Sequence, residues 1–357
     1  MLTRSLQNVV ASGMCLALMM TFAGCEKVQE MIPQQTATEA PETPVPENVP
    51  ATEPAPAEMP APVVRTPQQI IAEFIALPQH EKTDERLIEL TSLAEGLDAI
   101  TELDLSLSKV TDAGCEGLGK LAQLESLNLS KTIVTKATID RLPVLPLLRS
   151  LDLASAPRID GTCLESIGKL ESLQELSLQE TLVDDISLQH VGPLPHLEVL
   201  RLDGVRNLTG KPFAIQVQKG EFKELKELSF SGSQFGIYAL ENIAKMPKLE
   251  ILRASGSDIG DGSLQGIQAC QNLRILDVSH NNLTPRAVQQ FPRLKKLEVL
   301  RLDGCTGIID VALNQIRLLT QLKELGLENA GVTPGAVEKL KSEYLKQTTI
   351  YYGGKTL

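Results

Sequence analysis

Leucine returns at a fixed interval through most of this chain. A run Leu-x-x-Leu-x-Leu is followed by a small polar residue and an isolated apolar residue, then by a tail in which every third position is apolar. The second leucine of the run falls at Leu103, Leu127, Leu151, Leu176, Leu200, Leu228, Leu252, Leu276, Leu300 and Leu325. The steps are 24, 24, 25, 24, 28, 24, 24, 24 and 25 residues, and a period held over ten copies marks a stack of supersecondary units.

Each unit opens with alternating apolar positions, as in Leu127-Asn-Leu129 or Leu276-Asp-Val278, the period of a strand with one buried face. An apolar residue follows seven or eight positions later: Val110, Val134, Ile159, Val183, Leu208, Phe235, Ile259, Leu283, Ile308 and Val332. Polar pairs come next (Thr111-Asp112, Asp160-Gly161, Asp184-Asp185, Asp261-Gly262, and Asp310 in the unit at Leu300) and read as helix N-caps. The tails, such as Leu118, Leu121 and Leu124 or Leu188, Val191 and Leu194, have the spacing of a short helix or tight turn laid over the strand layer.

One such unit cannot bury its apolar face alone, so neighbours must stack and their strands must run parallel in register. The pattern resembles the leucine-rich repeat family in its bacterial 24-residue form, over roughly residues 97–352. The resemblance implies an α/β solenoid, a horseshoe of about ten repeats with a parallel sheet on its concave side and short helices on its convex side. The unit at Leu300 (Leu300-Arg-Leu-Asp-Gly-Cys305) is nearer the cysteine-containing subtype, and Val205 and Ala330 depart from the family's polar loop position, where its hydrogen-bond ladder is expected to break.

The flanks divide the chain further. Residues 67–97, with Ile70, Ile71, Phe74, Ile75, Leu87, Ile88, Leu90 and Leu93, read as a helical N-terminal cap. Residues 98–357 form the solenoid, and Tyr344, Ile350, Tyr351 and Tyr352 close its core with a final strand. Residues 1–24 read as a signal peptide: Arg4, then an apolar run from Val9 to Phe22 too short for a comfortable membrane span. Phe22-Ala-Gly-Cys25 resembles a bacterial lipobox, although Phe22 stands where leucine is usual. That resemblance implies lipidation of Cys25, and Glu26 in place of a retention aspartate favours the outer membrane over the inner. Residues 25–66 hold the lipidated cysteine and a tether; ten prolines run from Pro33 to Pro67, the last opening the cap, and the nine in the tether stand among Ala, Thr and Glu, a composition that cannot bury a core.

Net charge is −11, and residues 1–66 hold three basic against seven acidic side chains, so −7 remains on the rest. An acidic, tryptophan-free surface without a basic cluster argues against a nucleic-acid partner. Of six cysteines, Cys15 and Cys25 belong to the leader and anchor, while Cys115, Cys163, Cys270 and Cys305 never fall in adjacent repeats. Four free, mostly buried thiols are expected, because two strand spacings, about 10 Å, exceed the reach of a disulfide.

No pattern for catalysis emerges. The four histidines (His80, His190, His196, His280) lack metal-ligand spacing, and Asp277, Ser279 and His280 share one strand end, where they cannot fold into a nucleophile–base–orienter arrangement. No phosphate-binding loop or dinucleotide fingerprint is present; Gly204, Gly232, Gly256 and Gly304 occupy one matching turn position. Neither a cofactor nor a metal is implied, and a small-molecule ligand is disfavoured. Asp104, Asp152 and Asp277 align without falling on consecutive strands, which reads as solvated charge and not as calcium ligation.

The binding potential lies in the residues that flank each buried leucine pair and face out of the sheet. The column before the second leucine runs Glu102, Ser126, Ser150, Glu175, Val199, Glu227, Ile251, Ile275, Val299, Glu324; the column after it runs Asp104, Asn128, Asp152, Ser177, Arg201, Ser229, Arg253, Asp277, Arg301, Gly326. The first four strands are acidic and hydroxylic. The seventh to ninth present an apolar row, Ile251–Ile275–Val299, beside an ionic row, Arg253–Asp277–Arg301, completed by Asp303 and echoed by Arg201 and Asp203. Branched residues fill sheets by propensity and opposite charges pair across strands, yet an apolar row framed by guanidinium groups is also the composition of a protein-binding patch. A second candidate is the 28-residue unit, where Phe213, Phe222, Phe230, Phe235 and Tyr238 cluster beside several lysines, either as core or as an extra binding loop.

The expected function is a non-enzymatic, membrane-anchored protein-interaction scaffold of the bacterial envelope. Two alternatives remain open at this point: a structural or adhesive envelope component recognising polysaccharide or another cell, and a secreted effector joining an F-box to leucine-rich repeats.

Overall fold

The computed structural model describes residues 65–357; the expected signal peptide, Cys25 and nearly all of the expected tether lie outside the described residues. Ten three-residue strands carry the repeat: β1 (Glu102–Asp104), β2 (Ser126–Asn128), β3 (Ser150–Asp152), β4 (Glu175–Ser177), β5 (Val199–Arg201), β6 (Glu227–Ser229), β7 (Ile251–Arg253), β8 (Ile275–Asp277), β9 (Val299–Arg301) and β10 (Glu324–Gly326). β11 (Thr349–Tyr352) continues them in parallel, and β12 (Lys355–Thr356) turns back antiparallel on β11. All twelve form one open sheet in chain order. Register is constant: Leu103 pairs with Leu127, Leu127 with Leu151, and so on to Leu325 with Ile350. The second leucine of every unit is buried, as is the apolar residue seven or eight positions on, so one continuous core runs the length of the stack.

The backbone turns sharply after each strand. The residue four positions past the second leucine is left-handed in all ten units, with φ between 54° and 71°. Glycine fills it at Gly204, Gly232, Gly256 and Gly304, where it costs least. Leu107, Lys131, Ser155, Glu180, His280 and Asn329 adopt the same strained region in the other units.

Two devices tie neighbouring units on the far side of the sheet. The aspartates expected to cap helices mostly bind the next unit instead. Asp112 accepts from the Thr135 N–H (2.9 Å), the Thr135 hydroxyl (2.7 Å) and the Thr138 hydroxyl (2.6 Å). Asp185 holds Thr209, Asp261 holds Thr284 and Asp310 holds Thr333 in the same way. Asp160 and Asp184 behave as local caps, accepting from the Thr162 and Ser187 N–H groups. In the polar loop, Thr132 and Thr181 donate to carbonyls of their own unit, while Asn281 bridges units by accepting from Ser257 and Ile259 and donating to Ala254. Val205 and Ala330 offer no such group, and neither does Ala156.

At the N-terminal end, α1 (Pro67–Ala76) and α2 (Asp84–Thr91) bury Phe74, Leu87 and Leu90 against the first repeat. Every strand carbonyl facing the preceding unit accepts a backbone N–H, as Asn128 does from Leu105. β1 has no preceding strand, and the Lys82 ammonium fills the vacancy by donating to the Asp104 carbonyl at 2.8 Å. At the other end Ile350 is buried and Tyr352 donates to the Val332 carbonyl at 2.9 Å. Tyr344 and Tyr351 do not join the core: Tyr344 is 40% exposed under the Arg317 guanidinium, and Tyr351 lies on the open sheet face.

The long unit resolves in favour of core. Its extra length forms the helix Lys211–Lys219, bounded by left-handed Gly210 and Gly220. Phe213, Phe222, Phe230 and Phe235 are all buried, with ring centroids 4.6–5.0 Å apart. Of the five aromatics only Tyr238 is exposed. Among the described residues no helix is long and apolar enough to cross a membrane.

Candidate functional site

The sheet register assembles the two outward columns. Ile251, Ile275 and Val299 stand side by side on β7–β9, half-buried, with no polar group between them. Arg253, Asp277 and Arg301 are likewise aligned, yet the expected Arg253–Asp277–Arg301 ion ladder does not form. Arg253 Nη1 and Arg201 Nε both lie 3.0 Å from the same oxygen of Glu227, whose side chain is only 13% exposed. Arg301 Nη2 meets Glu324 at 2.6 Å, and its guanidinium stacks 4.4 Å from the Tyr351 ring centroid. The cause is reach. A guanidinium on a long stem crosses diagonally to the glutamate column, whereas the short Asp277 carboxylate accepts the Ser279 N–H two residues on, at 3.0 Å.

That short-range bond recurs at Asp104, Asn128 and Asp152, each accepting the N–H two residues later at 2.9 Å. It accounts for the aligned aspartates as turn formers. Asp203 accepts from Gln179, Ser229 and the Ser231 N–H, and Asp303 from the Glu328 N–H; both brace the turn beside them. Of the nine residues expected to form the patch, Arg201, Asp203, Arg253, Arg301 and Asp303 are bonded to neighbouring units and Asp277 to its own turn. Ile251, Ile275 and Val299 stay half-buried in adjacent register positions.

Gly326 makes the Arg301 contact possible. A side chain there would collide with Asp303 and with the Arg301 stem, so glycine opens the column between β9 and β11. The column pattern shows this position only when β11 is counted as an eleventh member.

One more ordered feature escaped the two-column reading. Two residues before the second leucine, charge alternates from unit to unit: Glu125, Arg149, Glu198, Lys226, Glu250, Arg274, Glu298, Lys323, interrupted only by Gln174. Several pair across strands, among them Lys226 with Glu198 (2.6 Å), Arg274 with Glu298 (3.1 Å) and Lys323 with Glu298 (3.1 Å). The sign alternation was visible in the repeat alignment. It neutralises one border of the sheet, leaving the two central columns to set its character.

The face holds no assembled acid–base or nucleophilic pair. Asp277 bonds the Ser279 backbone, and His280 is exposed on its left-handed turn. Among the described residues the four thiols are buried and free of disulfides; burial pushes Cys115 and Cys270 up to about 12 and raises Cys163 and Cys305, so none of the four is a ready thiolate. Among the described residues no group of three or more His, Cys, Asp or Glu side chains is placed to hold a metal ion.

The family model described as Leucine Rich repeat matches residues 100–119 and 269–290. The crystal structure of an internalin from Listeria monocytogenes is similar over 80% of this chain and 86% of its own, at 21% identity and a TM-score of 0.51. An internalin C2 from the same species aligns over 79% and 96% of the two chains at 18% identity and a TM-score of 0.43. No curated protein matches the sequence. With its ten-copy period and its register-locked parallel sheet, the chain has the fold of a leucine-rich repeat solenoid.

Proposed function

We propose that the protein is a non-catalytic protein-interaction scaffold of the bacterial envelope, tethered through lipidated Cys25 and capturing a partner protein on its sheet face. One observation carries this reading: Ile251, Ile275 and Val299 form an apolar row bordered by ion pairs that are already satisfied. Apolar contact removes such a row from water, while the bordering pairs supply a neutral polar rim, the anatomy of a protein interface. The lipobox-like Phe22-Ala-Gly-Cys25 supports a lipid anchor, the proline-rich stretch a spacer, and Glu26 an outer-membrane address. Polysaccharide recognition gains one aromatic, Tyr351, but Arg301 already lies over that ring.

The test is the triple variant Ile251→Ser, Ile275→Ser, Val299→Ser, with the arginines kept because Arg253 and Arg301 bond neighbouring strands. Capture of partner proteins from envelope extracts should be lost while the thermal unfolding midpoint stays within a few degrees. Undiminished capture removes the sheet face from the account.

A further inference from the structure

The sheet face is electrically lopsided. β1–β4 present Glu102, Asp104, Asp152 and Glu175, none of them in an ion pair among the described residues. Its arginines sit at the other end, on β5, β7 and β9, and each is held by Glu227 or Glu324. Asp104 and Asp152 accept neutral N–H donors only, so an anionic partner meets carboxylates without a paired counter-charge and no unpaired guanidinium, and a cationic one meets unpaired negative charge.

The cap end adds a shaped feature. A cavity of about 280 Å³ lies between α1 and β1, with Phe74, Ile75 and Leu77 as apolar wall. Glu102, Asp104 and Gln79 supply oxygens; the Gln79 Nε2–H donates to Asp104 Oδ2 at 2.7 Å, while Gln79 Oε1 is buried with no donor. Lys82 is the one positive charge there, against two carboxylates, and its donor bond goes to the Asp104 carbonyl. An apolar sleeve ending in carboxylates fits a lysine or arginine side chain, whose stem packs and whose head stays charged.

We infer that the sheet face takes one extended segment of a partner protein, cationic over β1–β4, with one basic side chain in the cap cavity, and apolar over β7–β9. Eight strand spacings separate β1 from β9, about 38 Å at ~4.8 Å each, which an extended chain spans in about twelve residues. This rests on the sheet-face reading above and adds the polarity of the partner.

The test is fluorescence anisotropy of the full-length protein with synthetic peptides of about fourteen residues. One carries lysines at one end and leucine and valine at the other; a second replaces each lysine with glutamate. The lysine peptide should bind at least about tenfold more tightly, and the preference should collapse at about 1 M salt, where screening acts within about 3 Å. Glu102→Gln, Asp152→Asn and Glu175→Gln together should reduce the preference to within about threefold at low salt. Equal binding of the glutamate peptide, no binding of the lysine peptide, or a neutralised variant that keeps the preference overturns the inference. Failure here is separable from failure of the sheet-face reading. If capture still depends on Ile251, Ile275 and Val299 but the captured segment is acidic, the face stands and its polarity falls.

Discussion

β1–β4 and β7–β9 are built by the same repeat, in the same register, on the same buried leucines, yet they offer a partner opposite surfaces. Over β1–β4 the outward columns hold carboxylates without an ion-pair partner, hydroxyls and an amide; over β7–β9 they hold a bare apolar row between satisfied ion pairs. The period leaves two outward positions per strand free of core and turn duties, and even there Asp104, Asn128, Asp152 and Asp277 also form turns. Recognition is confined to what remains, which is why a few side chains distinguish the two regions.

The comparison can be broken first at the core. Leu127→Ala under β2 and Leu252→Ala under β7 should each cost about 2–5 kcal/mol in urea unfolding, because both leucines are fully buried in one continuous core. A large cost at one and almost none at the other would show that the regions differ in packing and not only in surface. Next in size, Lys82→Met removes the donor that closes the exposed edge of β1 and should cost about 1–3 kcal/mol. Hydrogen exchange should quicken in β1 and β2 and stay unchanged in β7–β9; uniform quickening would mean that the cap stabilises the whole solenoid.

Asp112→Asn should cost about 1–2 kcal/mol by loosening the joint between the first two repeats. Burial pushes the Asp112 carboxyl up, but hydrogen bonds from Thr138 and Thr135 outweigh it and hold the group below its usual range. A depressed folded value means that the stabilisation is complete above the unfolded value, about 3.9, and lost as pH falls through the lower folded one. The gap between wild type and variant should therefore close in that acid window, and a gap independent of pH would assign the cost to packing. Smallest of all, Ile275→Ser should change stability by no more than about 0.5–1 kcal/mol, since this half-buried side chain touches solvent.

The strands, their register, the core and the open columns were all legible in the spacing of the leucines. What escaped depends on reach and on contacts far apart in sequence. Asp112 and Thr135 are 23 residues apart, so an aspartate that joins two repeats looks, within its own unit, like a helix cap. Arg253 sits opposite Asp277 in the columns but bonds Glu227, because its length lets it choose a diagonal neighbour. The left-handed turn was apparent only where glycine marks it; at Leu107, Lys131 and Glu180 the surrounding repeat imposes it on residues with no preference for it. Tyr351 was counted as core because the chain ends there in aromatics, and pairing with Gly326 instead placed it on the open face.

The most direct measurement is site-specific photocrosslinking in intact cells, with a photoreactive residue at Ile275 on the sheet face and, separately, at exposed Gln289 in the opposite layer. A discrete protein adduct is expected from Ile275 and none from Gln289. Adducts from Gln289 alone, or none from Ile275, would contradict it.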